Sequence, residues 1–283
     1  MRVLVTGATG FVGRHLIPEL LRRGVQVTAS SRSPGRARDF GWFSQVEYVA
    51  CDLTQSGNLD VSIFGRPDIL VHLAWAELDD FNSPLHTDTL LPAHLSFLSS
   101  MIEAGLPQCV VAGTCLEYGK TEGELRESDP ARPQIAYATA KNGLRLALSR
   151  MQKSSTFKLK WVRLFYLFGQ GQNPKALLAQ LDQALANVDA EFDMSPGEHL
   201  RDYLPIERAA ELIASVSLNS DFDGLCNCCR GEPIAVRDLV VNYLTQSRRE
   251  IKLNLGRFPY PDYEAKSFWG STAKLSEITE RVA

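Results

Sequence analysis

The run Thr6-Gly7-Ala8-Thr9-Gly10-Phe11-Val12-Gly13 constrains this chain more than any other stretch. It follows a β-branched run, Arg2–Thr6, and opens a helix-period segment, Phe11–Arg23. Three glycines alone say little, but a strand before them and a helix after them give them a mechanism. The first permits the tight turn, the second lets backbone N–H groups approach a pyrophosphate, and the third allows close helix–strand contact. The helix start adds partial positive charge. Gly7, Gly10 and Gly13, with Thr9, Phe11 and Val12, are therefore predicted to hold a dinucleotide. A turn that serves packing alone is the alternative.

The rest of the first half repeats the same grammar. Strands are predicted at Val25–Ser30, Val46–Ala50, Ile69–Leu73, Cys109–Gly113 and Leu159–Leu164, with helices at Thr87–Ala104 and Ile135–Lys153. Alternating strands and helices make an α/β fold, a parallel sheet with crossover helices. Beyond Phe165 the pattern changes to a Gly/Gln/Asn/Pro loop, a helix over Lys175–Asn187 and another polar loop reaching Arg201. This predicts a smaller C-terminal substrate lobe, 166–203 and 231–283. The dinucleotide domain is then 1–165 with about 204–230, because Ile206–Leu218 and Leu225–Cys229 read as a helix and strand returning to it.

The length of 283 residues, with 45% hydrophobic and 22% charged, is that of a folded chain with a large core. A net charge of -3 argues against nucleic acid or an anionic membrane as partner. No apolar run approaches the ~20 residues that span a bilayer, and Met1-Arg2-Val3-Leu4 reads as a strand rather than a signal peptide. A cytoplasmic location and small-molecule partners are expected. Cys226, Cys228 and Cys229 lack the paired spacing of a zinc site, so no metal is expected and the six cysteines read as reduced and buried.

In a dinucleotide fold an acid at the end of the second strand accepts the adenosine ribose hydroxyls of NAD. Here that strand ends Ala29-Ser30-Ser31-Arg32. Hydroxyls and a guanidinium suit the 2′-phosphate of NADP, so NADPH is preferred over NAD through Ser31 and Arg32. Solvation of Arg32 is the alternative. Asp52 and Leu53, after the third strand, fall where an adenine edge would lie, although Asp52 suits a turn cap equally. Leu73, Ala74 and Trp75, after the fourth, would pass beside the ribose and pyrophosphate.

Tyr137-Ala138-Thr139-Ala140-Lys141 lies on a helix-period segment, and a spacing of four places both side chains on one face. A phenol, with its ordinary pKa near ~10, needs a nearby cation to exchange protons near neutrality. Lys141 would supply that cation and hydrogen-bond the nicotinamide ribose. In isolation the pair is a common chance pattern.

Taken together, residues 6–13, His72-Leu73-Ala74, Tyr118-Gly119, Tyr137…Lys141, Arg163-Leu164-Phe165 and Arg201-Asp202-Tyr203 resemble the extended short-chain dehydrogenase/reductases, the nucleotide-sugar epimerase/dehydratase/reductase family. The likeness covers nearly the whole chain. It implies an α/β Rossmann fold, a doubly wound parallel sheet with a smaller C-terminal sugar-nucleotide lobe, a nucleotide-diphosphate sugar as substrate, and a homodimer through a four-helix bundle that includes the helix of the Tyr/Lys pair. It also makes Thr114 the third catalytic residue, bonding the substrate oxygen that Tyr137 protonates.

The resemblance further separates subfamilies. Dehydratases look like Thr-Asp-Glu where this chain has Thr114-Cys115-Leu116, so the eliminating carboxylates are missing. Enzymes resembling GDP-fucose synthase place a cysteine where Leu116 stands; Cys115 is one place off and reads as packing. Glu117 is expected to face away from the site or support Tyr118. Tyr166 replaces an asparagine common in the family, which suggests a less polar 6-deoxy sugar. Arg201 is expected to meet the nucleotide diphosphate, or else pair with Asp202, and Asn173 to touch the nucleotide. Trp75, Tyr118 and Phe168 read as packing. What the resemblance implies is an NADPH-dependent reductase of a 4-keto-6-deoxyhexose nucleotide. The alternatives are a 4-epimerase with retained NAD, or an idle NADPH-binding sensor or scaffold. An RNA-binding relative is opposed by the acidic balance.

Overall fold

A computed structural model describes residues 1–54, 59–260 and 262–280. The glycine turn sits between strand β1 (Arg2–Thr6) and helix α1 (Gly13–Arg22), followed by β2 (Gln26–Ser31), a short α2 (Pro34–Ala37) and β3 (Glu47–Ala50). Next come β4 (Ile69–His72), α3 (Leu91–Glu103), β5 (Gln108–Thr114), β6 (Gly123–Leu125), α4 (Ala136–Met151) and β7 (Lys158–Leu164). Seven strands form one parallel sheet in the order β3-β2-β1-β4-β5-β7, closed by β11 (Gly224–Cys228). The strand order reverses between β1 and β4, and the crevice outside the carboxyl ends at such a point is where ligands bind.

Period-two alternation sorts the sheet's side chains between two cores. Val3, Val5, Val71 and Val110 pack on α1 and on the later helix α6 (Ile206–Leu218). Leu4, Leu70, Val111 and Trp161 face the opposite side, with Phe97 and Leu98 of α3 and Leu144 and Leu148 of α4. Burying each large apolar side chain contributes about 1.5–3 kcal/mol, so each face needs its helices.

Outside the large sheet lie β8 (Tyr166–Phe168), α5 (Leu177–Ala186), β9 (Glu191–Met194) and β10 (Leu200–Pro205) ahead of α6. After β11 come β12 (Pro233–Ala235), α7 (Val236–Ser247), β13 (Lys252–Leu255), β14 (Phe268–Gly270) and α8 (Ala273–Glu280). They build three small sheets, β12-β10-β8, β13-β9 and β14-β6. Leu178, Leu181, Phe192 and Val240 form a separate core there.

The strands expected from the sequence fall within a residue of those found. The helix expected from Thr87 does differ: a π-turn spans His86–Leu90, and α3 starts at Leu91. Pro92 has no N–H to return to the preceding turn, so the chain enters the helix through a wider one. The cysteines are free; all are buried except the half-buried Cys51. Among the described residues no group of three side chains could hold a metal, and no helix is long and apolar enough to cross a membrane.

Candidate active site

The glycine turn is built for close approach. Gly7 has φ +71°, and a Cβ there would come within 2.7 Å of the Ala74 backbone nitrogen. A Cβ on Gly13 would collide with the Gly7 carbonyl. The Gly10 N–H closes on Gly7 O at 2.9 Å, leaving the N–H groups of Phe11 and Val12 at the mouth of α1, where a helix has free donors.

This turn forms one wall of a 340 Å³ cavity at the carboxyl edge of the sheet. Thr9 and the run from Gly10 to Gly13 line it, with Ser31, Arg32, Asp52, Leu53, Leu73 and Ala74. Every residue expected to hold a dinucleotide from outside α4 therefore meets in one place. Trp75, expected beside the ribose and pyrophosphate, lines it as well, and so do Arg36 and His94, which the sequence does not mark as binding residues. The tight glycine cradle, the helix start and two guanidiniums fit a dinucleotide phosphate group.

Ser31 and Arg32 differ in freedom. The Ser31 hydroxyl bonds the Tyr48 hydroxyl at 2.8 Å, and Tyr48 in turn donates to Ser31 O at 2.9 Å. Arg32 is exposed at the rim. Asp52 accepts from the Thr54 N–H at 3.0 Å and from its hydroxyl at 2.7 Å, so it caps a turn while lining the cavity. These bonds, with Arg32 nearby, hold its carboxyl below the usual range.

Tyr137 and Lys141 share one face of α4, but neither lines this cavity. Both are reached through Trp75. The Lys141 ammonium lies 4.0 Å over the Trp75 ring, and the Tyr137 ring lies 6.3 Å from it. Trp75 thus packs as expected and also joins the two regions. Lys141, almost fully buried, donates to Ala112 O at 2.9 Å, and burial lowers its pKa to about 7. Tyr137 stacks on Phe81, with centroids 5.2 Å apart, and its N–H donates to Phe81 O at 2.9 Å. Burial pushes the phenol's pKa up, and hydrogen bonding with Thr114 opposes that rise.

Thr114 ends β5 and caps the 3-10 turn Cys115–Tyr118. Glu117, given no role from sequence, is fully buried directly behind it and does not serve Tyr118. Its Oε1 accepts from the Thr114 N–H and the Trp161 Nε1–H, both at 2.9 Å, and its Oε2 accepts from Arg163 Nε at 2.9 Å. Gly113 makes this possible, because a Cβ there would overlap Trp161 Nε1 and the carboxylate. Tyr118 instead donates to Asn227 Oδ1 at 2.8 Å beneath the Arg163 guanidinium. Cys115 is buried with its thiol pKa raised by desolvation, as a packing residue should be.

Of the expected substrate residues, Tyr166 and Arg201 converge on Glu264, and Asn173 lies elsewhere. Arg201 is buried and pairs with Glu264 at 2.6 Å, not with Asp202. Asp202 instead accepts from the N–H groups of Arg230 at 2.7 Å and Gly231 at 2.8 Å. Tyr166 donates to the other Glu264 oxygen at 2.6 Å, and Phe268 lies under the Arg201 guanidinium at 4.6 Å. Asn173 donates to Asp79 at 2.6 Å on a different loop. Glu264 has no signal in the local sequence that would have linked it to Arg201 and Tyr166, 63 and 98 positions earlier.

Comparison with known proteins agrees with this architecture. The model of the NAD dependent epimerase/dehydratase family matches residues 3–224. The chain is 29% identical over 276 residues to a dTDP-6-deoxy-L-talose 4-dehydrogenase (NAD(+)) of Aggregatibacter actinomycetemcomitans, with 96% of this chain and all of that protein covered. It is 24% identical to the dTDP-4-dehydro-6-deoxyglucose reductase of Escherichia coli, covering 84% of this chain and 79% of that one. A UDP-N-acetylglucosamine 4-epimerase structure from Methanobrevibacter ruminantium superposes with a TM-score of 0.87 at 21% identity, covering 98% and 91%. The chain belongs to the NAD dependent epimerase/dehydratase family, a nucleotide-sugar oxidoreductase and epimerase family of Rossmann fold.

Proposed function

We propose that this protein is an NADPH-dependent reductase of a nucleotide-diphosphate-4-keto-6-deoxyhexose. The observation that carries this reading is the meeting, through Trp75, of a glycine-lined cavity rimmed by Arg32 and Arg36 with the Tyr137–Lys141 face of α4. Support comes from two relatives whose names describe redox at carbon 4 of a 6-deoxyhexose, one as a dehydrogenase and one as a reductase. They are two directions of one kind of hydride transfer.

Arg32 and Arg36 would hold the 2′-phosphate of the dinucleotide, and the start of α1 its pyrophosphate. When bound, the nicotinamide supplies the hydride. Thr114 orients the sugar carbonyl oxygen by hydrogen bond, and Tyr137 delivers its proton to that oxygen. With a pKa near neutrality, Lys141 is able to pass a proton on and restore the phenol. No carboxylate stands at positions 115 or 116, so elimination of water has no acid and base there. Tyr166 and Arg201 would face the sugar nucleotide from the lobe 166–203 and 231–283, Arg201 by exchanging Glu264 for a diphosphate. Asn173 would touch the nucleotide from the loop after β8. A homodimer through α3 and α4, in the cytoplasm, goes with the reading.

The test is an NADPH-consumption screen over dTDP-, GDP-, CDP- and UDP-linked 4-keto-6-deoxyhexoses. One or more is consumed with stoichiometric NADPH oxidation. No oxidation across the set, with turnover on a retained NAD instead, makes the protein a 4-epimerase.

A further inference from the structure

A chain of buried polar side chains runs from the centre of the sheet to the dinucleotide cavity. Thr6 and His72 are paired residues of β1 and β4, and Thr6 Oγ1 lies 2.8 Å from His72 Nδ1. His72 Nε2 lies 3.0 Å from Nδ1 of His94 on α3. All three are buried, His72 completely. His94 lines the cavity, and its Nε2 is enclosed without a hydrogen-bond partner. Buried polar atoms seldom stay unpaired, and one beside a cavity is a reason to look for a ligand.

The chain has a direction. Both imidazoles are neutral at pH 7, because burial and the neighbouring Lys141 lower their pKa values, His94 to about 3. Each ring therefore has one donor and one acceptor nitrogen. The Thr6 hydroxyl hydrogen finds His72 Nδ1 as its acceptor. His72 Nε2 then carries the hydrogen and donates to His94 Nδ1, which leaves the hydrogen of His94 on Nε2. The opposite arrangement strands a buried hydroxyl hydrogen. The Trp75 indole lies flat on the His94 ring, at 4.6 Å and 15°, so it covers the face of the imidazole and not the edge that carries Nε2.

We infer that His94 is a hydrogen-bond donor to the bound dinucleotide, its Nε2–H meeting an acceptor oxygen on the half nearer Tyr137, with the tautomer set by Thr6 through His72. This rests on the cavity being the dinucleotide site. It places the contact on the opposite side of the glycine turn from Arg32 and Asp52, next to the side chain that Lys141 covers.

Equilibrium binding of NADPH, followed by its fluorescence, tests this without turnover. His94→Phe weakens binding about tenfold, the worth of one hydrogen bond in a dry site, whereas His94→Gln, which keeps an N–H, loses much less. Adenosine 2′,5′-bisphosphate, which carries only the other half, binds wild type and both variants alike. In wild type, histidine nitrogen NMR shows His94 as the Nε2–H tautomer, and its signal moves when NADPH is added. Unchanged NADPH affinity in His94→Phe, or equal loss for NADPH and the bisphosphate, overturns the inference while the cofactor site stands. Failure of wild type to bind NADPH, NADH or the bisphosphate overturns the cofactor site itself.

Discussion

The Glu117 carboxylate accepts the Thr114 backbone N–H at 2.9 Å through one oxygen and the Arg163 guanidinium at 2.9 Å through the other. A fully buried ion pair thus fixes the end of β5 from which the Thr114 hydroxyl projects. Removing one partner of such a pair strands the other charge away from water. Glu117→Leu should lower unfolding free energy by about 3–5 kcal/mol in urea titrations. A loss below ~1 kcal/mol, the range of surface pairs, would mean that Arg163 finds another partner.

Lys141 gives a signed pH dependence. Its pKa in the folded state is about 7, against the ordinary 10.5, so the unfolded chain binds more protons between these values. The cost of burying the ammonium is present in full below pH 7. It is relieved as pH rises towards 10.5, so this group makes stability increase with pH in that window. Lys141→Met should be more stable than wild type near pH 6, and the difference should shrink with rising pH by up to about 1.4 kcal/mol per unit. A constant difference from pH 6 to pH 10 would show an unshifted lysine.

Gly7→Ala combines a positive φ with a methyl group 2.7 Å from the Ala74 nitrogen. The turn must move away from β4, which costs about 1 kcal/mol or more for the dihedral alone. NADPH affinity measured by fluorescence should fall more than tenfold while far-ultraviolet circular dichroism stays native. Unaltered affinity would place the dinucleotide elsewhere.

Arg32 stands at the rim of the cavity, exposed, with no acid in its place. Arg32→Ala should weaken NADPH binding about tenfold to a hundredfold, the range for charged hydrogen bonds, and leave NADH binding nearly unchanged. Equal binding of both cofactors by wild type would remove the NADPH preference, in line with the NAD(+) in the name of the Aggregatibacter relative.

The parts legible in the sequence are those made by neighbours in the chain. The glycine turn, the strand ends and the spacing of Tyr137 and Lys141 are local patterns, and the structure brings all the expected cavity residues of the first 75 positions together. What was hidden depends on contacts between distant segments. Glu117 reaches Arg163, 46 residues away, and Arg201 finds Glu264, 63 residues away, in preference to its neighbour Asp202. His94 reads as one polar residue on a helix, and only the pairing of β1 with β4 shows it as the end of a chain beginning at Thr6. Pattern reading assigns faces and periods, but it does not choose among partners brought together by the fold.

Hydride transfer from NADPH to carbon 4 of a keto sugar, with proton delivery by Tyr137, would leave an isotopic record in the product. The most direct measurement uses NADPH deuterated at the transferable position, with the nucleotide 4-keto-6-deoxyhexose the screen selects, and reads the product by mass spectrometry and NMR. One deuterium should appear at carbon 4 with wild type, and Tyr137→Phe should slow its appearance by about 10²–10⁴-fold while still binding NADPH. Product free of deuterium would rule out this hydride transfer, and labelling at full rate in Tyr137→Phe would rule out Tyr137 as the proton donor.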